Sequence, residues 1–311
     1  VRQTRSAATT GGFYAFAAYL LWGLFPLYFL LLLPSTPWEV VAWRVLLSLV
    51  FCVVALSVTR GWGAFARIAR QPRLLGWTAA AGILIFVNWT VYLVATLTGH
   101  VIEASLGYFI NPIVTVLLGV LVLRERLRRA QWVAIAIAVV AVGVIIVGYG
   151  QVPWISLALA FSFGLYGLTK NRVGGTVDAV SGLTLETAWL TPVAAGMLIW
   201  VGTGSGLTLG TAGAAHAVLL LLAGVATAVP LLLFAAATRR APLSLIGLLQ
   251  FLTPILQFVT GAVILHEAMP TERWIGFGLV WVALVVLSID SLRAARRTRA
   301  AGVGNDVAEI A

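Results

Sequence analysis

Apolar residues along this chain run in continuous blocks, separated by short segments that are basic or rich in Gly and Pro. A transmembrane β-barrel would alternate apolar and polar positions about every second residue, so continuity excludes it and favours helices. A span needs roughly 20 apolar residues. Windows of that length predict helices over residues 13–33, 38–58, 74–97, 101–123 and 132–149, then over 154–169, 179–201, 214–238, 243–265 and 274–291. The sixth is noticeably short. The first is too long for a signal-peptide core of about 7–15 residues and lacks a small-residue cleavage site, so it reads as a retained helix.

Composition supports the pattern: 61% of the 311 residues are hydrophobic and only 10% charged, against about 25% charged in soluble domains. The net charge of +10 would point to nucleic acid if it formed a patch. It does not. Arg2, Arg5, Arg60, Arg67, Arg70, Arg73, Arg124, Arg126, Arg128 and Arg129 fall on one side if ten spans alternate, as do Lys170, Arg172, Arg239, Arg240, Arg293, Arg296, Arg297 and Arg299. Arg273 stands on the other side and Arg44 inside the second span. Basic loops mark the cytoplasm, so both termini are expected there and no nucleic-acid partner is needed. In the second loop Trp62, Phe65 and Ile68 beside Arg67 and Arg70 fit either a short interfacial helix or a plain basic loop. The polar stretch 292–311 has no apolar period and is expected to be a disordered cytoplasmic tail.

Shifting the chain against itself by 142 positions pairs Leu106, Phe109, Pro112, Ile113, Gly119, Leu123, Glu125 and Trp132 with Leu248, Phe251, Pro254, Ile255, Gly261, Leu265, Glu267 and Trp274, all identities. Ala81-Gly82 pairs with Ala223-Gly224. Two units, 13–149 and 153–291, thus hold five spans each, and an odd number makes the second enter from the opposite side. Inverted repeats are a recurrent construction of secondary transporters, where they present one central site alternately to each side. A channel or a non-transporting membrane sensor is the other class of explanation.

Asn88-Trp89, Tyr92 and the run Gly99-His100-Val101-Ile102-Glu103-Ala104-Ser105-Leu106-Gly107-Tyr108-Phe109-Ile110-Asn111-Pro112 closely resemble the RarD group of EamA-type permeases, in the drug/metabolite transporter superfamily. So do Trp22-Gly23, Pro26-Leu27-Tyr28, Trp43-Arg44, Ser162-Phe163-Gly164-Leu165-Tyr166-Gly167, and Gln250-Phe251 with Pro254 and Gln257-Phe258, and the likeness covers residues 12–293. The family has Ala-His-Arg where this chain has Ala42-Trp43-Arg44, and often Asn where it has Thr98. The resemblance implies an all-α integral membrane protein with ten transmembrane helices in a five-plus-five arrangement. It also implies a permease of the bacterial inner membrane that moves a small polar or amphipathic metabolite or drug, and an exporter is the expected direction.

Ionisable residues inside spans are costly and mark function by default. Arg44 and Glu103 share a depth in the outer half, where Arg44 either pairs with Glu103 or binds an anionic group on the substrate. The alternatives are that Arg44 snorkels outward and that Glu103 sits at a helix start favoured by the dipole. The 142-residue shift maps Arg44 onto Glu186, with Lys170 as its expected partner and an inner latch. Glu103 and Glu186 are candidates for carrying protons. Near the midplane Asn88, Tyr92, Tyr108, Asn111, Ser162, Tyr166, Gln250, Thr253 and Gln257, with Trp89 and Trp22 as walls, form the candidate substrate site. Pro112 and Pro254 free backbone carbonyls and are either hinges or packed kinks beside Ala134, Ala138 and Ala141.

No enzyme chemistry is expected. Mid-span aspartate or serine-histidine pairs are missing, His266-Glu267 lacks the second histidine of a zinc helix, no phosphate-binding loop occurs, and the one cysteine, Cys52, lies in an apolar run. No cofactor is called for. The partners expected are the bilayer and the small-molecule substrate, with the chain a monomer or homodimer.

Overall fold

The computed structural model describes residues 2–124, 127–173, 176–238 and 240–308, and the side chains of 9–122, 124, 127–148, 150–173, 176–238, 240–242 and 245–293. Glu125, Arg126 and Arg239 lie outside the described residues, as do the side chains of Arg2, Arg5, Arg296, Arg297 and Arg299. Among the described residues the chain is all helical: α1 (Arg2–Gly23), α2 (Phe25–Leu30), α3 (Pro37–Val58), α4 (Trp62–Ala69), α5 (Pro72–Leu97), α6 (Val101–Leu123) and α7 (Arg129–Tyr149). There follow α8 (Trp154–Val173), α9 (Ala179–Thr203), α10 (Ala214–Leu221), α11 (Ala223–Thr238), α12 (Leu243–Leu249), α13 (Leu252–Val259), a π-helical turn over Thr260–Ile264, and α14 (Thr271–Ala308).

Nine segments among the described residues are long and apolar enough to cross a membrane, which makes this a multi-pass membrane protein. α8 is not one of the nine. It packs between α5 and α6, and its buried Ser156, Ser162 and Thr169 lower its apolar content while facing protein. Two helices run beyond the apolar windows. The backbone of α14 is helical to Ala308, and the Ala- and Arg-rich run from Arg293 to Ala301 supplies strong helix formers. Likewise α1 begins well before residue 13. The basic loop folds as α4.

Sequence punctuation explains the breaks. Thr36 accepts from the N–H of Glu39 at 3.2 Å, with Pro37 opening α3, and Asp178 caps α9 through the N–H of Ser181 at 3.0 Å, each a side-chain cap for an orphan donor. Pro26 has no N–H for the carbonyl of Trp22, so α1 ends and α2 starts anew.

Three apolar clusters hold the bundle. One joins α2, α3, α5, α8, α9 and α11 around Phe29, Val41, Trp89 and Leu159; a second joins α6, α7, α8 and α14 around Phe109, Ala141 and Phe277; a third joins α1, α11 and α12. Small residues set the closest crossings. A Cβ on Gly224 of α11 would come within 2.5 Å of the Leu47 carbonyl of α3, and one on Gly82 of α5 within 3.0 Å of the Glu186 carbonyl of α9. Exposed Val, Leu, Ile and Trp side chains such as Val54, Val139, Val147, Ile199 and Val282 cover the outside, as a lipid-facing surface requires.

Candidate functional site

α3 places Arg44 seven residues, or about 10 Å of rise, beyond its first residue. The residue is 4% exposed, so it does not snorkel. Its Nε donates to Thr227 Oγ1 at 2.8 Å. The guanidinium carbon lies 4.3 Å from the centroid of Trp89, and 5.5 and 5.4 Å from Phe25 and Phe29, within the range of cation–π attraction. Nη1 is buried without a hydrogen-bond partner. Arg44 and Glu103 do not pair. Glu103, in the first turn of α6, instead accepts at Oε1 from the N–H of Ile155 at 3.2 Å, and its carbonyl accepts from Ser156 Oγ at 2.6 Å. It therefore stitches the start of α6 to the start of α8, because an orphan N–H at a helix start is the nearest donor to a first-turn carboxylate.

Lys170 and Glu186 do meet. Nζ lies 2.7 Å from Oε1 of Glu186, which is 1% exposed, and Tyr166 donates to Oε2 at 3.2 Å. Lys170 is near the end of α8, where a cation suits the helix dipole.

Between these two charged centres runs a polar and aromatic strip. Gln257 Nε2 donates to Tyr92 Oη at 3.1 Å and to the carbonyl of Trp22 at 3.4 Å, the carbonyl that Pro26 leaves free. Tyr92 packs edge-on to Tyr108 at 5.8 Å; Tyr108 donates to Asn88 Oδ1 at 3.0 Å, and Asn88 Nδ2 donates to Ser162 Oγ at 3.2 Å. Tyr108, Phe163 and Tyr166 continue in steps of 6.1 and 6.0 Å towards Glu186. The sequence therefore named most of one connected feature: Arg44, Asn88, Trp89, Tyr92, Tyr108, Ser162, Tyr166, Lys170, Glu186 and Gln257.

Four candidates are placed elsewhere. Asn111 Nδ2 donates to the carbonyl of Ala160 at 3.0 Å and ties α6 to α8. Thr253 Oγ1 donates to the carbonyl of Tyr19 at 2.8 Å. Trp22 packs against Tyr19 and Phe234. Gln250 sits at the joint between α12 and α13. The two prolines differ: Pro112 lies inside continuous α6, whereas Pro254 lies just after that joint, its carbonyl accepting from Ser105 Oγ at 2.8 Å.

Sequence reading missed Phe25, Phe29 and Thr227, and also Glu39, which is fully buried and accepts at Oε1 from the N–H groups of Thr208 (2.8 Å) and Leu209 (3.3 Å). Its carboxylate stood inside the second predicted span, which was a usable signal. It missed a contact by Glu267 as well, whose carboxylate receives the N–H groups of Val101 at 2.6 Å and Ile102 at 2.9 Å and so caps α6 from the far end of the chain. No group of three or more potential metal ligands occurs among the described residues.

The model of the EamA-like transporter family matches residues 9–147. The chain is 50% identical over 291 residues to the protein RarD of Streptomyces exfoliatus, covering 94% of this chain and 92% of that one. It is 38% identical to the protein RarD of Escherichia coli K12, covering 96% and 98%, and 30% identical to the chloramphenicol-sensitive protein RarD of Pseudomonas aeruginosa, covering 92% and 96%. A solved crystal structure shares the fold at a TM-score of 0.57 and 19% identity, covering 90% of this chain and 96% of that one.

Proposed function

The chain belongs to the RarD group of the EamA family, a family of transporters, and on that footing we propose that it is a secondary-active permease. It exports a small polar or amphipathic molecule across the bacterial cytoplasmic membrane by alternating access. The carrying observation is the buried Arg44 amid Trp89, Phe25, Phe29 and the tyrosine strip, a charged group deep in a membrane bundle with one guanidinium nitrogen buried and unpartnered.

In this reading α8 is a tenth span, both termini are cytoplasmic, and the two halves are inverted repeats. The neighbour relations support it. Under the 142-residue shift the packing of α6 on α8 corresponds to that of α13 on α1, α5 on α8 to α11 on α1, and α5 on α9 to α11 on α3, and each of these pairs packs. Lys170 and Glu186 act as an inner latch, the carboxylate of Glu267 on α6 closes the outer end, and Pro112 and Pro254 let the two pseudo-equivalent helices bend. Substrate meets Arg44, Asn88, Trp89, Tyr92, Tyr108 and Gln257.

Purified protein in detergent, heated with a panel of organic acids, amino acids, amines and amphenicol-like drugs, tests for a binding site. A class that raises the melting temperature of wild type but not of Arg44→Gln, and that shows saturable flux in vesicles, is the expected result. Flux that never saturates would leave a channel, and folded protein that binds no class would remove the carrier reading.

A further inference from the structure

Arg44 carries a full charge that the chain does not neutralise. Arg44 belongs to neither of the ion pairs formed by Arg128 with Asp290 and by Lys170 with Glu186. The neighbouring carboxylates Glu39, Glu103 and Glu186 make their bonds elsewhere. Glu39, five residues earlier on α3, holds the N–H groups of Thr208 and Leu209 with Oε1 and keeps Oε2 buried without a partner; Glu103 holds Ile155; Glu186 holds Lys170 and Tyr166. The guanidinium keeps one neutral hydrogen bond, a tryptophan face and a buried Nη1 without a partner. A charge in this setting costs about 2.5–3.5 kcal/mol on insertion scales, so its natural complement is a single negative charge brought by the ligand.

Resting on the permease reading above, we propose that the substrate is an organic monoanion: one carboxylate or sulfonate on Arg44, with an apolar body against Trp89, Phe25 and Phe29. A zwitterion would need a receiver for its ammonium group, and the unpartnered carboxylate oxygen, Glu39 Oε2, stands five residues or about 7.5 Å of rise away from Arg44 on α3; a cation would meet Arg44 directly. One negative charge then crosses per molecule moved. An inside-negative potential drives that charge outward, by about 2.3 kcal/mol per 100 mV, which is about fiftyfold in concentration ratio at roughly 1.4 kcal/mol per tenfold. The potential alone suffices for export, with no coupled proton.

Phenylacetate, phenylalanine and phenethylamine share a phenyl group and carry charges of −1, 0 and +1. Phenylacetate is expected to raise the melting temperature of the purified protein and the other two to leave it unchanged. Arg44→Gln should abolish the shift; should that variant not fold, Arg44→Lys, which keeps the charge, should bind phenylacetate about tenfold more weakly with the order of the three probes unchanged. In vesicles, benzenesulfonate, which cannot cross lipid as a neutral acid, should distribute outward by about fiftyfold per 100 mV set with valinomycin and potassium. Equal or better stabilisation by phenylalanine or phenethylamine would overturn the monoanion and leave the carrier standing. A benzenesulfonate distribution indifferent to the potential would overturn charge movement while leaving binding intact. If none of the three probes shifts the melting temperature and benzenesulfonate flux matches protein-free vesicles, both the monoanion and the carrier fall.

Discussion

Arg44 and Glu186 stand 142 residues apart at corresponding positions of the two halves, one on α3 and the other on α9, and their surroundings are opposite in kind. Glu186 is answered within the chain by Lys170 at 2.7 Å and Tyr166 at 3.2 Å. Arg44 is answered by Thr227 and a tryptophan face, with one nitrogen unsatisfied. A buried charge that is paired resists opening until its partner is pulled away, because separation leaves both ions desolvated. A buried charge left unpaired recruits something mobile. In the permease reading proposed above, one region is a closure and the other a receptacle, although the two positions coincide under the 142-residue shift.

The largest effect expected from breaking this contrast is at Arg44. Arg44→Gln should lower affinity for a stabilising ligand by about tenfold to a hundredfold, the worth of a hydrogen bond to a charged group, in a binding titration. The fold should tolerate it. Next comes Lys170→Met, which strands the Glu186 carboxylate: a loss of about 2 kcal/mol is expected in thermal unfolding, reduced from a fully buried case because the Lys170 side chain is 31% exposed. Combining it with Glu186→Leu should recover most of that loss, and failure to recover would mean that the pair does more than neutralise itself. Glu267→Gln keeps an acceptor but gives up the charge and one of two backbone bonds at the start of α6, for about 1 kcal/mol in the same assay. The smallest is Arg128→Ala. Its pair with Asp290 at 2.6 Å is half exposed on the Arg128 side, so less than about 0.5 kcal/mol should be lost.

Much of the architecture was legible because bilayer thickness and backbone satisfaction leave a sequence few choices. Runs of apolar residues became helices, whereas the break at Pro26 inside the expected span 13–33 was passed over. The site was legible in part. Arg44, Glu186 and Lys170 stood out as charges among apolar neighbours, and the Lys170 partner lay sixteen residues away. Thr227 lies 183 residues from Arg44, and no period or spacing connects them. Phe25 and Phe29 looked like ordinary span residues until Pro26 restarted the helix. Of the two readings open for Glu103 the helix-start one matches, because equal depth in a membrane does not fix azimuth around the bundle and the N–H of Ile155 lies within reach.

The contacts made by Gly82 and Gly224 carry a consequence for how this chain tolerates change. Where two helices cross backbone to backbone, there are no interlocking side chains to disengage, so the crossing can roll like a smooth bearing while the surrounding knobs stay put. A single methyl at Gly224 would have to push α11 off the Leu47 carbonyl. In a saturation library scored for export, these two positions should accept almost nothing, alanine included, while lipid-facing neighbours such as Val139 and Val147 accept nearly any apolar residue. Intolerance to the smallest possible addition would then be the genetic signature of a joint that moves, written in two residues that have no side chain.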